Sequence, residues 1–199
     1  MREHCGYKVD GIRRKNREDR KVTIQMSDML VKLYDLPPLQ PALDAIAPLR
    51  LHIRPARIGE EHQIMPWIAQ HFNESWAHGV VYAIHRSPCS LFIAVEKQPP
   101  DPERAHLYEL PPEQLVGFAC YDTSNRGMFG PMGVHPRYEN RGIGTALLLT
   151  ALHAMWNENY AYAVIGWAGP VDWYAKRVGA TLIPGSEPGP FRGRLEDAQ

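Results

Sequence analysis

Short apolar runs and amphipathic stretches alternate along the chain and predict an α/β fold. Strands are expected at five places: 51–57, 90–97, 114–122, 126–134 and 161–167. Helices are expected over four stretches: GEEHQIMPWIAQHF, ESWAHGVVYAIHR, residues 143–157 and VDWYAKRV. The runs ATLIP and FRGRL are candidates for short final strands. This order predicts antiparallel strands first and then one βαβ crossover, which makes 126–134 and 161–167 parallel neighbours.

The helix expected over 143–157 has a clear apolar face, with polar side chains elsewhere. That face consists of Leu147, Leu148, Ala151, Leu152 and Met155. In the strand before it, Pro131 indicates a bulge or an edge, because proline cannot donate to a ladder. Gly179 is a suitable C-terminal cap for the helix VDWYAKRV.

Two segments are expected to precede the main domain, which is predicted over residues 51–199. Residues 1–28 form a basic extension that we expect to be poorly ordered. We also expect about 25 of these residues to be dispensable, and an upstream start codon is one interpretation of them. Residues 29–50 are rich in proline and are interpreted as a linker or capping segment, because prolines exclude long helices.

Composition is typical of a globular protein, with 199 residues, 44% of them hydrophobic and 22% charged. Lysine plus arginine and aspartate plus glutamate each number 22, so no global charge argument favours nucleic acid or an acidic membrane surface. No apolar stretch approaches the length of a membrane span. The three cysteines, Cys5, Cys89 and Cys120, have no CxxC spacing. This usage is typical of a reducing cytosol, so we expect a cytoplasmic protein with no membrane partner.

The stretch VHPRYENRGIG, residues 134–144, joins a predicted strand to a helix whose first N–H groups have no partner within the helix. Gly142 and Gly144 carry no side chain, so a bulky anion can approach these donors. The free amides and the helix dipole favour a phosphate group, and Arg137 and Arg141 add positive charge. For this stretch alone, a glycine-containing helix start packed against the strand is the alternative.

The motif and the order of elements resemble the GNAT superfamily of acyl-CoA-dependent N-acetyltransferases, in particular a bacterial subgroup of unassigned substrate. The resemblance covers about residues 51–185 and includes V-x-P-x-x-x-x-x-G-x-G, the helix and strand after it, and WYAKRVGA. It implies a central mixed, mostly antiparallel sheet of six to seven strands, with one parallel βαβ crossover and helices on both faces.

In this family the glycine turn holds the coenzyme A pyrophosphate, and the pantetheine arm lies between two splayed parallel strands. The resemblance implies a coenzyme site that consists of Val134, Glu139, Asn140, Arg141, Gly142, Ile143, Gly144 and Thr145. Glu139 stands where the family has glutamine or arginine, so we expect its carboxylate to turn outward or to cap nearby amides. Acetyl-CoA is the implied acyl donor and cosubstrate, and no metal is expected.

The tyrosine of WYAK resembles one that the family places beside the coenzyme sulfur. The resemblance implies that Tyr174 is the general acid for the departing thiolate. A phenol with a pKa of about 10 can protonate a thiolate whose conjugate acid has a pKa near 8.5. Packing of Tyr174 beside Trp173 is the alternative, and the family's frequent asparagine is absent from GWAGPVD.

The general base is not identified by the sequence. Many relatives use a glutamate on the strand before the glycine turn, but MFGPMGV contains no carboxylate. Glu74, His78, Asp122 and Asp172 are candidates, and deprotonation of the amine by solvent is a further alternative.

Other chemistry-bearing residues have structural explanations. His71, His78 and His85 recur every seven residues, which is about 10.5 Å along a helix and too far for one metal ion. We therefore expect them to be solvated or locally bonded. Trp67 and Trp76 are candidates for the acceptor pocket.

The sequence leads to two further expectations. Trp156 is expected to pack within the domain. Segment 97–113 is either a flap over the acceptor or an inserted loop.

Three functions are compatible with these observations. The leading hypothesis is acetyl transfer from acetyl-CoA to a primary amine by direct attack, with a small molecule or a protein as the acceptor and a homodimer as an open option. The alternative is a non-catalytic acyl-CoA-binding or sensor module with a GNAT fold, motivated by Glu139 and the missing carboxylate. A nucleic-acid-associated factor that uses the basic terminus ranks last.

Overall fold

The computed structural model describes residues 27–99, 113–187 and 189–191. The strands are β1 (Met29–Lys32), β2 (Leu51–Pro55), β3 (Leu91–Lys97), β4 (Glu113–Tyr121), β5 (Met128–Val134), β6 (Tyr162–Ile165) and β7 (Thr181–Leu182). The helices are α1 (Gln40–Ile46), α2 (Glu61–His71), α3 (Glu74–His85), α4 (Ile143–Asn157) and α5 (Val171–Val178). Short 3-10 turns at Leu33–Asp35, Ala47–Leu49, Pro136–Tyr138 and Gly189–Phe191 complete the described elements.

All seven strands form one sheet, in the order β2-β3-β4-β5-β6-β1-β7. Neighbouring strands are antiparallel except for β5 and β6, which α4 connects as a parallel pair. The predicted mixed, mostly antiparallel sheet with one βαβ crossover is therefore confirmed.

Helices cover both faces of the sheet, as predicted. Along β3, Leu91, Ile93 and Val95 belong to a core cluster with α2 and α3, whereas Phe92 and Ala94 belong to the cluster that contains α4. Alternate residues of a strand point to opposite faces, so a strand covered on both sides reads as one continuous apolar run.

Helix α4 occupies the centre of the larger core cluster. Its bounds match the predicted helix, and all five residues of the predicted apolar face are fully buried. Ile143, Ala146 and Leu149 are buried as well, so the helix is apolar around most of its circumference. This burial fixes the position of the helix start against the sheet.

The proline-rich leading segment contributes β1 to the interior of the sheet. Met29 pairs with Ile165 of β6 on one side and with Leu182 of β7 on the other. Met29 and Val31 are 1% and 0% exposed. The domain boundary at residue 51 stays a prediction, but the proline content of this segment did not indicate a strand between β6 and β7.

The structure refines several predicted boundaries. Strand β5 begins at Met128 rather than 126, because Met128 N–H closes a turn onto the Asn125 carbonyl. The register of β4 against β5 shifts between Ala119 and Tyr121, which confirms the bulge predicted from Pro131.

Some predictions fall partly or wholly on residues outside the described part of the chain. In FRGRL, Phe191 ends a 3-10 turn rather than a strand, and the remainder is not described. Cys5 and the basic extension up to residue 26 also lie outside the described residues, as do residues 100–112 of the predicted flap or insertion.

Candidate active site

The turn before α4 takes the form that the glycine motif predicts. Gly142 is the N-cap residue with φ of 85°, and Asn140 has φ of 60°, so both lie in the left-handed region. The Ala146 N–H donates to the Gly142 carbonyl at 3.1 Å, which closes the first turn of the helix. The backbone N–H groups of the residues before Ala146 therefore have no partner within the helix.

The end of β5 and the start of α5 border this turn. A Cβ added at Gly144 would lie 3.5 Å from Trp173 Cζ2 and 3.8 Å from Val134 Cγ2. The Ile143 side chain is 1% exposed and anchors the turn in the core. Residues that the resemblance assigned to one site, Val134 and the glycine turn, are thus adjacent in space.

The side chain of Arg177, which was not identified from the sequence, lies at the N-terminus of α4. Arg177 Nε donates to Thr145 Oγ1 at 2.8 Å, and its guanidinium lies 4.4 Å from the centre of the Trp173 ring. Arg141, which was predicted, is exposed and lies over the Tyr138 ring at 5.2 Å. The spacing of Trp173 and Arg177, four residues apart on one helix, was the available signal.

Glu139 faces solvent. It is exposed, and within the described part of the chain its carboxylate forms no hydrogen bond or ion pair, whereas its backbone N–H donates to the Pro136 carbonyl at 3.3 Å. Of the two predicted orientations, the structure therefore has the outward one. Its effect on coenzyme binding stays a prediction.

Strands β5 and β6 separate immediately before the glycine turn. Their ladder consists of Met128 with Val164 and Phe129 with Ile165, and no pair joins residues 130–134 to β6 in the described structure. The resulting gap opens toward the N-terminus of α4. It has the form that the resemblance requires for a pantetheine arm.

Two side chains hold the bulge at the start of this gap. Thr123 Oγ1 donates to the Gly130 carbonyl at 2.8 Å, and Cys120 Sγ donates to the Pro131 carbonyl at 3.2 Å. Cys120 is fully buried, and this burial raises the pKa of its thiol. The thiol therefore stays protonated and acts as a donor, in agreement with the predicted reduced cysteine.

Tyr174 lies beside the point where the two strands separate. Its ring packs edge-on against Phe129, with centroids 6.5 Å apart, and against Trp173 at 5.0 Å. The residue is 8% exposed, and burial raises the pKa of its phenol to about 12. Its hydroxyl forms no hydrogen bond to another described residue, so it is available to a ligand.

Asp122, one of the base candidates, is committed to structural contacts. Its Oδ1 accepts from the Gly127 N–H at 2.7 Å, and its Oδ2 accepts from the Tyr160 hydroxyl at 2.6 Å. Arg86 forms an ion pair with the same carboxylate at 3.1 Å. These contacts close the β4–β5 turn, which explains a buried carboxylate at a residue with φ of 59°.

The remaining base candidates lie on the surface. Glu74 and His78 are 87% and 71% exposed and approach each other at 3.9 Å along α3. Asp172 is exposed at the start of α5. Of the four predicted candidates, only Asp122 is buried, and its carboxylate is occupied by the contacts of the β4–β5 turn.

The repeated histidines have local partners, as expected. His71 packs against His135 with ring centroids 4.6 Å apart, and His85 approaches Glu61 at 3.7 Å. Among the described residues, no three His, Cys, Asp or Glu side chains are grouped so that they could hold a metal ion. No helix in that part of the chain is long and apolar enough to span a membrane.

The predicted tryptophans belong to different environments. Trp67 and Trp76 flank Phe72 on the face covered by α2 and α3, with centroids 5.7 Å from it in each case. Trp156 is 43% exposed, so the expectation that it packs within the domain is wrong. It lies at the solvent side of α4, near the end of the helix.

Comparison with known families decides the class of protein. A family model described as "Acetyltransferase (GNAT) family" matches residues 62–176, which span α2 to α5. The chain belongs to the GNAT acetyltransferase family. Membership confirms the resemblance and indicates acetyl transfer as the general chemistry, whereas the bacterial subgroup stays a prediction. A comparison with curated proteins finds none that matches this GNAT chain.

Solved structures share the GNAT fold at low sequence identity. One is the GCN5-related glucosamine N-acetyltransferase region of a fungal multi-domain GH3 β-N-acetylglucosaminidase, with a TM-score of 0.58 and 13% identity. Another is a GCN5-related N-acetyltransferase from Sphaerobacter thermophilus, with a TM-score of 0.53 and 17% identity. Each alignment covers 79% of this chain but only 19% and 48% of the two relatives, respectively. These similarities establish the fold alone.

Proposed function

We propose that this GNAT chain transfers an acetyl group from acetyl-CoA to a primary amine. One observation carries the proposal: the glycine turn at the start of α4 opens directly onto the gap between β5 and β6. The turn offers backbone donors to a pyrophosphate, and the gap offers an extended channel to the pantetheine arm. A coenzyme A thioester needs both features in this relative position.

The coenzyme would be held mainly by the backbone. The N–H groups of Ile143, Gly144 and Thr145 point out of the helix start, where the helix dipole also favours an anion. Arg177 is held at the same place by Thr145 and adds a positive charge. Because Glu139 is exposed, its carboxylate can stay in solvent while the turn binds phosphate.

The chemistry is a direct displacement at the thioester carbonyl. The amine nitrogen attacks the carbonyl carbon, a C–N bond forms, the C–S bond breaks, and the nitrogen gives up a proton. The thiolate leaves and takes a proton from the phenol of Tyr174, and the proton given up by the nitrogen restores this phenol. Because its pKa is about 12, the phenol is fully protonated at neutral pH and able to act as this acid.

A non-catalytic acyl-CoA-binding module is the second candidate. It is favoured by the sequence of β5, MFGPMGV, which has no ionisable side chain beside the gap. A module of this kind would bind the thioester and leave it intact.

Titration calorimetry with acetyl-CoA, followed by thiol release with a panel of primary amines, tests the proposal. Gly144→Asp and Gly144→Asn form a matched pair, because an added Cβ meets only ordinary contacts there and the two side chains differ in charge. We expect Asp to weaken acetyl-CoA binding at least about tenfold relative to Asn, by repulsion of the pyrophosphate.

Three outcomes separate the candidates. No binding of acetyl-CoA at millimolar concentration contradicts both functions. Tight binding without thiol release over the whole panel favours the module. Equal affinity of the Gly144→Asp and Gly144→Asn variants for acetyl-CoA would show that the pyrophosphate does not bind at this turn.

A further inference from the structure

A second cavity lies on the sheet beside the point where β5 and β6 separate. It has a volume of about 390 Å³ and is open to solvent on one side. Its walls come from the start of β5, from β6 and from the segment after β7, and most of them are apolar. The lining residues include Asp28, Met128, Val164, Ile183, Ser186 and Gly189.

Asp28 supplies the carboxylate in this cavity and is only 6% exposed. Its Oδ1 accepts from the Trp167 backbone N–H at 2.9 Å, and its own N–H donates to Ser186 Oγ at 2.9 Å. Its Oδ2 accepts no hydrogen bond from another described residue. One oxygen therefore fixes the side chain in place, and the other is left for a ligand.

The segment after β7 closes tightly over this carboxylate. A Cβ added at Gly189 would lie 3.2 and 3.3 Å from the two oxygens of Asp28. Gly189 also has φ of 72°, a conformation that favours glycine. The close approach excludes water from one side of the carboxylate, so a charge there needs a partner of opposite sign.

The cavity is adjacent to the proposed reaction centre. Met128 and Val164 are paired in the ladder just before β5 and β6 separate, and both line the cavity. Trp167, which holds the Asp28 carboxylate, lies two residues beyond Ile165, the last β6 residue paired with β5. Asp28 therefore lies level with the point where β5 and β6 separate, on the side of β6 away from the gap. The cavity extends over β6 from Met128 to Asp28 and so joins the two.

We propose that this cavity binds the acceptor and that the Asp28 carboxylate binds its ammonium group and takes one proton from it, so that the neutral amine can attack. The proposal rests on the proposed function. The acceptor is a primary amine with an apolar body, because the walls are apolar and the cavity contributes one carboxylate. Asp28 takes one proton from the ammonium group before attack, and the neutral amine then forms the C–N bond. As the C–S bond breaks, Tyr174 protonates the sulfur, and the second proton lost by the nitrogen restores the Tyr174 phenol.

This assignment supplies the base that the sequence did not show. Asp28 precedes β1 and is the last residue of the basic extension 1–28, which was predicted to be poorly ordered. Only the insertion of β1 between β6 and β7 brings this carboxylate to the cavity.

The test uses Asp28→Asn in the full chain, with Asp35→Asn as a matched control at an exposed position. The amide oxygen of asparagine can still accept from Trp167 N–H, so the fold should persist. We expect the KM for benzylamine to rise about tenfold or more and kcat to fall, with the Kd for acetyl-CoA unchanged. The control should match the wild type in all three quantities.

Binding is also measured without turnover. Benzylamine should raise the melting temperature of the wild type more than benzyl alcohol at equal concentration, and Asp28→Asn should remove this difference. A second variant, Ile183→Phe, narrows the cavity and should raise the KM for benzylamine but not for methylamine. It keeps the proposal testable if Asp28→Asn fails to fold.

The outcomes distinguish this proposal from the function on which it rests. If acetyl-CoA does not bind to the wild type, the proposed function fails. If acetyl-CoA binds but Asp28→Asn retains the wild-type KM, kcat and preference for benzylamine, only the acceptor site is overturned. Preference for benzyl alcohol over benzylamine in the wild type would overturn it as well.

Discussion

At the scale of single residues, chemistry depends on burial as much as on residue type. Tyr174 and Tyr34 are both tyrosines, but Tyr174 is 8% exposed and Tyr34 is 54% exposed. Burial raises the pKa of Tyr174 to about 12 and leaves its hydroxyl without a partner among the described residues. The phenol therefore keeps its proton at neutral pH, and its hydroxyl is available to a ligand.

Replacing Tyr174 with Phe should lower kcat about 100-fold, because the thiolate then leaves without a proton donor. The Kd for acetyl-CoA should change little, since the ring and its packing are kept. Single-turnover rates and calorimetry measure the two quantities, and Tyr34→Phe is the matched control. An unchanged kcat would assign Tyr174 a packing role only.

The same variant gives a pH-dependent signature in stability. The folded pKa of about 12 exceeds the unfolded value of 10.0, so burial of the neutral phenol stabilises the fold fully below pH 10. This contribution is lost as the pH rises from 10 through 12, and the loss is roughly 1 kcal/mol at pH 11. Urea unfolding at pH 9 and pH 11 should show this loss in the wild type relative to Tyr174→Phe. Parallel pH profiles would contradict the raised pKa.

At the scale of elements, β5 is shaped by what packs against it. Phe72 is the residue after α2, and its ring packs against β5 at Gly133. A Cβ added at Gly133 would lie 2.4 Å from Cζ of this ring. Trp76 and Phe118 enclose the ring, with centroids 5.7 and 5.6 Å away, so it cannot move aside at low cost. Glycine at this position therefore lets the helix layer approach the strand that borders the gap.

Replacing Gly133 with Ala should destabilise the fold by about 1 to 3 kcal/mol through overpacking. Gly169→Ala is the control, because nothing lies within 4 Å of a Cβ added there. Chemical denaturation measures both. Combining Gly133→Ala with Phe72→Leu should cost less than the sum of the two single changes, and simple additivity would contradict the contact.

At the scale of the whole molecule, the sheet is completed by a strand from the start of the described chain. Strand β1 connects β6 to β7, and no ladder pair joins those two strands directly in the described structure. The proposed acceptor carboxylate, Asp28, immediately precedes this strand. Stability and the acceptor site thus depend on the same segment.

Two truncations test this dependence. Removal of residues 1–26 should leave the melting temperature unchanged, because that stretch is rich in charge and poor in apolar side chains. Removal of residues 1–32 should lower it strongly, because the buried Met29 and Val31 each contribute about 2 kcal/mol, in addition to the ladder hydrogen bonds. Thermal unfolding measures both. Equal melting temperatures for the two truncated chains would show that β1 is dispensable.

The sequence by itself determined the features that depend on local pattern. The period of apolar residues fixed α4 at Ile143–Asn157, and the order of elements fixed the parallel pair of β5 and β6. The two glycines identified the helix start that offers backbone donors to a phosphate. Each element is encoded within about 15 neighbouring residues, and the parallel pair follows from the order of the elements along the chain.

The tertiary structure decided the features that depend on contacts between residues far apart in the sequence. The pairing of β1 with β6 joins residues 29–32 to 162–165, and no local pattern encodes such a contact. The same holds for Arg177 beside Thr145 and for Asp28 beside Trp167. A cavity and its charge are formed by side chains from several segments, so only the folded chain shows which carboxylate lines the cavity.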